Sequence, residues 1–400
     1  MSFVHLVEPR RSTGRFPIFA LGFRPFFLLA GLFAAFSVPL WLLVFHGLID
    51  PASYLPPTIW HGHEMVFGFA AAVIAGFLLT AAANWTGQTT ASGPGLAALA
   101  ALWLAGRVVM SSGADLAPWI VVVIDTAFLP VLALGLALVL LRAGNRRNLI
   151  FPVVLLALGG VNLSIHLSSL GVIAWDPSRG LKVAVDLILV MIGVLGGRVI
   201  PSFTKNALPQ AKVQLGSKAS PLALAALVAL ALSDIATSDP MITGAIALAA
   251  GILNGLRMKR WGSRAAAGHP MLWILHVGYG WLAVGLVLRG LADLFAIVPP
   301  DAGMHALTVG AIGAMTLGMM SRVALGHTGR SIVPARATVA AYWLVNAAAL
   351  VRVLAPIVLG GALFQSGIVF AGALWSLAFL LFSIVYLPIL VRPRADGRPG

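Results

Sequence analysis

The chain has 400 residues, of which 60% are hydrophobic and only 10% are charged. Its mean hydropathy of +0.98 lies far above that of soluble domains, so the composition predicts a polytopic membrane protein. The absence of cysteine excludes disulfides, iron–sulfur clusters and thiolate-ligated haem or copper, and leaves histidine, methionine, carboxylate and backbone groups as metal ligands.

Apolar stretches of about 20 residues, the length of a helix that crosses the bilayer core, recur along the whole sequence. A basic segment, residues 1–21, precedes the first stretch, and a tail, residues 391–400, follows the last. The connecting segments are too short for a soluble domain, so we predict an all-α, polytopic transmembrane helix bundle that forms one integral membrane domain over residues 1–400. The twelve predicted spans cover residues 22–45, 60–83, 95–112, 117–141, 149–173, 181–203, 219–234, 240–257, 270–292, 303–326, 337–358 and 366–390.

Basic residues are distributed unevenly between the predicted loops. Eighteen of the 26 lysine and arginine residues fall in alternate loops and in the two terminal segments, whereas the remaining loops hold only Arg179 and Lys182. This pattern follows the positive-inside rule and predicts that both the N and the C terminus are cytoplasmic. The net charge of +14 therefore reflects membrane topology and does not indicate nucleic-acid binding.

Six further arginines lie within the spans or at their ends, where an unpaired cation is costly to bury. They can reach the interface or a lipid phosphate, hold haem propionates, or compensate the carboxylates of Glu64, Asp125 and Asp186 inside the spans. The six are Arg24, Arg107, Arg198, Arg289, Arg322 and Arg352, and the candidate cofactor-binding residues among them are Arg107, Arg198, Arg289 and Arg322.

The second span begins with the sequence Trp60-His61-Gly62-His63-Glu64-Met65. Two imidazoles and a carboxylate are costly to bury in hydrocarbon, so this cluster indicates a metal, a haem or a proton path. At about 100° per residue, His61 and Glu64 share one face of the helix, while His63 points almost opposite to His61.

Depth in the bilayer separates the intramembrane histidines into two layers. We predict that the outer layer forms one metal or haem centre, in which Glu64 donates a proton or supports a ligand, and that the inner layer forms a second centre or part of an electron path. The outer layer contains His61, His63, His166 and His305 together with Glu64 and Asp186, and the inner layer contains His276 and His327.

The sixth and tenth spans end in similar sequences, Gly197-Arg198-Val199 and Ser321-Arg322-Val323. The similarity is compatible with an internal repeat of four helices. The shared residues are too few to establish it.

Six segments distributed over nearly the whole chain resemble the NnrS family. They are Leu21-Gly22-Phe23-Arg24-Pro25-Phe26-Phe27, Trp60-His61-Gly62-His63-Glu64-Met65-Val66-Phe67-Gly68-Phe69, Gly76-Phe77-Leu78-Leu79-Thr80 with Asn84-Trp85-Thr86-Gly87, Gly197-Arg198-Val199-Ile200-Pro201, Leu275-His276-Val277-Gly278-Tyr279 and Leu325-Gly326-His327-Thr328-Gly329-Arg330. The resemblance implies a multi-pass protein of the bacterial inner (cytoplasmic) membrane with haem of the b type and, as a second candidate, copper. It also implies a role in the response to nitric oxide or nitrosative stress that accompanies denitrification.

Two functions from different classes remain open. In the first, a haem centre binds nitric oxide, a neutral gas that partitions into the bilayer, and either senses it or removes it. In the second, a proton-coupled secondary transporter of a metal or a nitrogen-oxide-related species uses Glu64, Asp125 and Asp186 as proton sites. A third, an assembly partner for a respiratory complex, is the least favoured because the sequence offers no long extramembrane surface.

Overall fold

The computed structural model of the protein describes residues 16–50, 53–113, 115–215 and 219–398. All regular secondary structure in these ranges is helical. Most of the predicted basic N-terminal segment lies outside the described residues.

The twelve long helices in the described ranges correspond one by one to the predicted spans, which confirms the helix-bundle prediction. Eleven of these helices are long and apolar enough to cross a membrane, and the exception, α7, has a shorter apolar stretch, Ser220–Ala236. The helices are α1 Phe23–Phe45, α2 Pro57–Thr86, α3 Gly93–Ser112, α4 Pro118–Arg142, α5 Ile150–Ser169, α6 Pro177–Ala207, α7 Ala219–Ala236, α8 Pro240–Met258, α9 Pro270–Phe295, α10 Pro300–His327, α11 Arg336–Val358 and α12 Gly361–Val391.

Local sequence explains where many of these helices begin. Six of them start at a proline, whose fixed φ suits the first turn and whose missing N–H is not needed there. Two of those six also have an aspartate N-cap: Asp176 accepts a hydrogen bond from Ser178 N at 2.8 Å, and Asp239 accepts one from Met241 N at 2.9 Å. The prolines are Pro57, Pro118, Pro177, Pro240, Pro270 and Pro300.

Two of the helices contain a π-helical segment near their N-terminal ends. The segment of α2 is Glu64–Ala70, and that of α10 is Ala306–Gly313. Such segments change the rotation per residue and are frequent at functional sites. His61 stacks on the Trp41 ring, whereas Glu64 contacts His63, so the two residues predicted to share a face have different partners.

The π-helical segments occupy equivalent positions in an internal repeat. Several residues in and just after α2 recur in and just after α10 exactly 242 positions later, and the glycine that follows each helix has a left-handed backbone, with φ of +67° at Gly87 and +70° at Gly329. Arg107 of α3 likewise corresponds to Arg352 of α11, at a separation of 245 positions. From this recurrence in α2–α3 and α10–α11 we infer that helices α1–α4 and α9–α12 are two copies of one unit. The recurring pairs include His63/His305, Gly68/Gly310, Gly76/Gly318, Thr86/Thr328 and Gly87/Gly329.

The two copies pack against each other through aromatic residues. Trp375 of α12 donates a hydrogen bond to the carbonyl of Ala34 at 3.1 Å, and its ring lies 5.5 Å from that of Phe69. A Cβ at Gly313 would lie only 2.5 Å from the Trp375 ring, so glycine is needed for this contact between α10 and α12. The packing fixes the ends of α2 and α10 relative to each other.

The predicted cytoplasmic loops meet at one end of the bundle, here called the basic end. Gln214 N donates to Arg260 O, and Ala395 N donates to Thr328 O, both at 2.9 Å. These contacts join the segments that follow α6, α8, α10 and α12. Arg257, one of the basic residues predicted for a loop, lies instead inside α8, where it donates to the carbonyl of Gly193 at 2.8 Å.

Candidate functional site

Three helices, α2, α3 and α5, direct polar side chains at one buried carboxylate, Asp125 of α4. Its Oδ2 atom accepts hydrogen bonds from Asn162 Nδ2 at 2.8 Å and His166 Nε2 at 3.0 Å, and lies 3.2 Å from His63 Nε2. Its Oδ1 atom is bound by the guanidinium of Arg107. The ionisable side chains of this group, the Asp125 cluster, are at most 6% exposed, so water screens their interactions little.

In each histidine of the Asp125 cluster, the ring nitrogen that faces away from Asp125 is hydrogen-bonded to a separate group. His63 Nδ1 donates to Glu64 Oε1 at 3.0 Å, and His166 Nδ1 is hydrogen-bonded to the hydroxyl of Tyr54, in the loop between α1 and α2. Burial raises the pKa of the Tyr54 phenol, and the negative charge of Asp125 raises it further, so the phenol stays protonated at neutral pH. Each imidazole thus has one anchored nitrogen and one nitrogen directed at Asp125.

This geometry is that of a metal-ligand set. His63, Asp125 and His166 each offer one ligand atom, and the three atoms lie within 4.8 Å of one another. Histidine ligands are usually fixed through their second nitrogen by a carboxylate or another hydrogen-bonding group, as Glu64 and Tyr54 do here. Two imidazoles and a carboxylate suit a borderline ion such as copper(II), zinc or iron(II).

A second pair of histidines lies at the same end of the bundle. The His61 imidazole stacks on the Trp41 ring, with centroids 4.5 Å apart and an interplanar angle of 12°. His305 Nδ1 donates to the backbone carbonyl of Asp301 at 2.8 Å, which leaves its Nε2 as an available ligand atom. His61 lies within electrostatic range of both His305 and Arg352. We call His61, His305 and Arg352 the His305 cluster.

Arg352 differs from its repeat counterpart Arg107 in its partners. The guanidinium of Arg107 binds the carboxylates of Glu64 and Asp125. By contrast, Nη1 of Arg352 is buried and has no hydrogen-bond partner in the described part of the chain. The residue 242 positions after Glu64 is Ala306, and α12 contains no aspartate or glutamate. The second copy therefore lacks counterparts of the two carboxylates that bind Arg107, and the carboxylate within electrostatic range of Arg352 is instead that of Asp301.

The outer layer predicted from the sequence thus divides into three groups instead of forming one centre. His63, His166 and Glu64 belong to the Asp125 cluster, and His61 and His305 to the other. Asp186 lies apart, where it accepts from Arg289 Nη1 at 3.1 Å. Arg289 also binds Asp234 of α7 and lies 3.7 Å from Asp293 of its own helix, α9.

The inner-layer histidines lie in different parts of the basic end. His276 uses both nitrogens in contacts with hydroxyls, Nε2 with Thr204 and Nδ1 with Ser263, each at 2.9 Å. His327 lies 3.4 Å from the amide of Asn84 and packs near the Phe23 ring. The two other predicted arginines have neutral neighbours: Arg198 donates to Asn148 Oδ1 at 3.1 Å, and the Arg322 guanidinium lies 3.9 Å from the centre of the Phe203 ring.

Several residues of the two clusters were not predicted as site residues from the sequence. Arg352 could have been found, because its repeat counterpart Arg107 carries the same charge at an equivalent depth. Tyr54, Asn162 and Trp41 carry no signal that separates them from other loop, helix and interface residues.

Together the observations define a class: a polytopic helical membrane protein with two histidine clusters buried between its helices. A family model described as NnrS protein matches residues 17–394, so the chain belongs to the NnrS family, as the sequence motifs predicted. Membership connects the chain, in general terms, with the nitric oxide response and with haem or metal binding. Among curated proteins, no match to the chain was found.

Proposed function

We propose that the protein is a b-type haem protein of the bacterial inner membrane that binds nitric oxide in the response to nitrosative stress. We further propose that it holds copper beside the haem. The observation that carries the proposal is Arg352, whose buried Nη1 has no hydrogen-bond partner in the described residues and which lies near two histidines, whereas its repeat counterpart Arg107 binds two protein carboxylates.

The His305 cluster supplies the groups that a non-covalently bound haem requires. His61 and His305 offer imidazole nitrogens as iron ligands, and the hydrogen bond from His305 Nδ1 to Asp301 O fixes its tautomer. Attachment through thioether bonds is excluded because the chain has no cysteine. The iron, when bound through one of these two imidazoles, would supply a coordination position for a neutral diatomic gas.

Arg352 fits a carboxylate of the ligand. A buried cation without a partner is costly, and a hydrogen-bonded carboxylate removes much of that cost. In the first copy Glu64 and Asp125 play this part for Arg107. In the second copy Ala306 replaces the glutamate, so we assign the haem propionate to the same position relative to Arg352.

The Asp125 cluster fits the second metal. His63, His166 and Asp125 would be its ligands, Glu64 and Tyr54 orient the imidazoles, and Arg107 fixes the second oxygen of Asp125. Glu64 therefore supports a ligand, one of the two roles predicted for it. The metal would supply a redox-active or Lewis-acidic partner close to the haem, because His61 and His63 are only two residues apart on α2.

The transporter alternative has less support from the structure. Each of its three proposed proton sites is held by an arginine, Glu64 and Asp125 by Arg107 and Asp186 by Arg289. A proton carrier would have to break and remake these buried ion pairs in every cycle, which is costly.

Spectra and metal content of purified variants test the proposal. The wild-type protein should show a Soret band that shifts with nitric oxide in the dithionite-reduced state. The variants His61→Ala and His305→Ala should lose haem and keep copper, whereas His63→Ala and His166→Ala should lose copper and keep haem. His276→Ala is the matched control, because it removes a buried histidine outside both clusters and should change neither content.

Arg352 variants test the carboxylate contact separately. Arg352→Met should lower haem occupancy, Arg352→Lys should restore part of it because the charge is kept, and Arg198→Met should have no effect. A colourless wild-type protein, or full haem occupancy in both His61→Ala and His305→Ala, would contradict the haem assignment.

A further inference from the structure

The second, sixth and tenth helices line an apolar cavity that is partly open at its side. Its volume is about 80 Å³, compared with the roughly 10–15 Å³ that one water-sized molecule requires. The lining comes entirely from α2, α6 and α10 and includes Phe77, Met191, Leu195, Met315 and Met319.

The lining selects against charged and strongly polar molecules. Its only polar side chain is Thr316, and the hydroxyl of Thr316 already donates within its own helix, to the carbonyls of Ile312 at 2.7 Å and Gly313 at 3.0 Å. A polar molecule that entered would lose its hydrogen bonds to water without replacement, whereas an apolar one would not. Cavities lined in this way stay dry and bind apolar ligands such as xenon.

The cavity lies one π-helical segment away from both histidine clusters. On α2 the segment runs from Glu64, beside His63, to Ala70 in the cavity wall, and on α10 it runs from Ala306, beside His305, to Gly313, next to the lining residue Ile312. Each histidine is seven residues from its wall residue, or about 10 Å along a helix axis. The repeat thus gives both clusters the same short separation from the cavity.

We propose that this cavity binds a small uncharged gas molecule drawn from the bilayer and supplies it to the His305 cluster. That the gas is nitric oxide rests on the proposed function. The site itself rests on the apolar lining and on its position between the two copies of the repeat.

Xenon binding tests whether the cavity holds a small apolar molecule, and the test does not require a bound cofactor. Crystals of the protein pressurised with xenon should show an anomalous peak between α2, α6 and α10. Ile192→Trp and the milder Thr316→Met, which fill the cavity, should lose the peak. The matched control is Ile384→Trp, because Ile384 is 61% exposed on α12 and lies outside the lining, so the peak should remain. Absence of the peak from the wild-type protein would overturn the proposal whether or not the protein contains haem.

The kinetics of nitric oxide binding test the supply of gas. In reduced, haem-loaded protein, stopped-flow association of nitric oxide should be slower in Ile192→Trp and Thr316→Met than in the wild type and Ile384→Trp, at equal haem content. Equal association rates in all four proteins would overturn the supply role. A wild-type protein that binds xenon but contains no haem would instead refute the proposed function and leave the gas site supported.

Discussion

Replacement of Arg107 by methionine should destabilise the fold more than replacement of Arg352, the other arginine of the two clusters. Arg107 is 6% exposed and binds Glu64 and Asp125, which are 2% and 0% exposed. Removing one partner of a buried ion pair typically costs about 3–5 kcal/mol, because the remaining charge is left buried and unpaired. Two carboxylates lose their arginine here, and His63, His166 and the neutral amide of Asn162 remain beside them, so we expect Arg107→Met to lie in the upper part of that range.

Two comparisons isolate the ionic contribution. The triple variant Arg107→Met/Glu64→Gln/Asp125→Asn removes all three charges and should recover much of the loss, because neutral amides can keep part of the hydrogen bonding. Arg198→Met is the matched control: Arg198 is only partly buried and has one neutral partner, Asn148, so its loss should cost about 0.5–1.5 kcal/mol.

The assay is reversible unfolding of detergent-solubilised protein by sodium dodecyl sulfate, followed by circular dichroism with a chelator present. The chelator is needed because a metal bound at His63, Asp125 and His166 would add its own binding free energy to the folded state. The reasoning fails if Arg107→Met costs no more than Arg198→Met, or if the triple variant is as unstable as the single one.

Three further predictions concern the packing of the helices, the proposed copper ion and the difference between the two copies of the repeat. Gly290→Ala should destabilise the protein by about 1–3 kcal/mol in the same unfolding assay, because the added Cβ would lie 2.7 Å from a leucine of α8. The control Gly160→Ala should be neutral or slightly stabilising, because a Cβ at Gly160 would have no atom within 4 Å. Chelation of copper should lower the melting temperature of the wild type but leave that of His166→Ala unchanged, as differential scanning fluorimetry would show. Ala306→Glu should pair with Arg352 and reduce haem occupancy in absorption spectra, while the uncharged control Ala306→Gln should reduce it less.

The number and limits of the helices could be predicted from the sequence, because lipid leaves the backbone no other way to satisfy its hydrogen bonds than to form helices. Depth was also predictable: the outer histidines and the inner ones do lie toward opposite ends of the bundle. His63 and His166, assigned to one layer from depth alone, are in fact hydrogen-bonded to the same carboxylate.

Which helices and side chains lie next to each other at one depth in the membrane could not be predicted in the same way. A regular rotation of about 100° per residue places His61 and Glu64 on one face, but it does not show which side chains they meet: His61 stacks on Trp41 of α1, whereas Glu64 binds Arg107 of α3. Depth also cannot say which helices are adjacent, so it placed Asp186 with the histidines although α6 directs it to Arg289.

Comparison of the two copies explains how one ancestral arrangement came to provide two different sites. Both copies retain a histidine at the start of a π-helical segment and an arginine on the following helix, His63 with Arg107 and His305 with Arg352. In the first copy, protein carboxylates bind the arginine, and under the proposed function the remaining ligand atoms hold a bare metal ion. In the second copy, the proposed function leaves the arginine for an anionic group brought in by a ligand. Because His61 of α2 lies within electrostatic range of His305 and Arg352, the two proposed sites share one helix, and any movement of the start of α2 alters both at once.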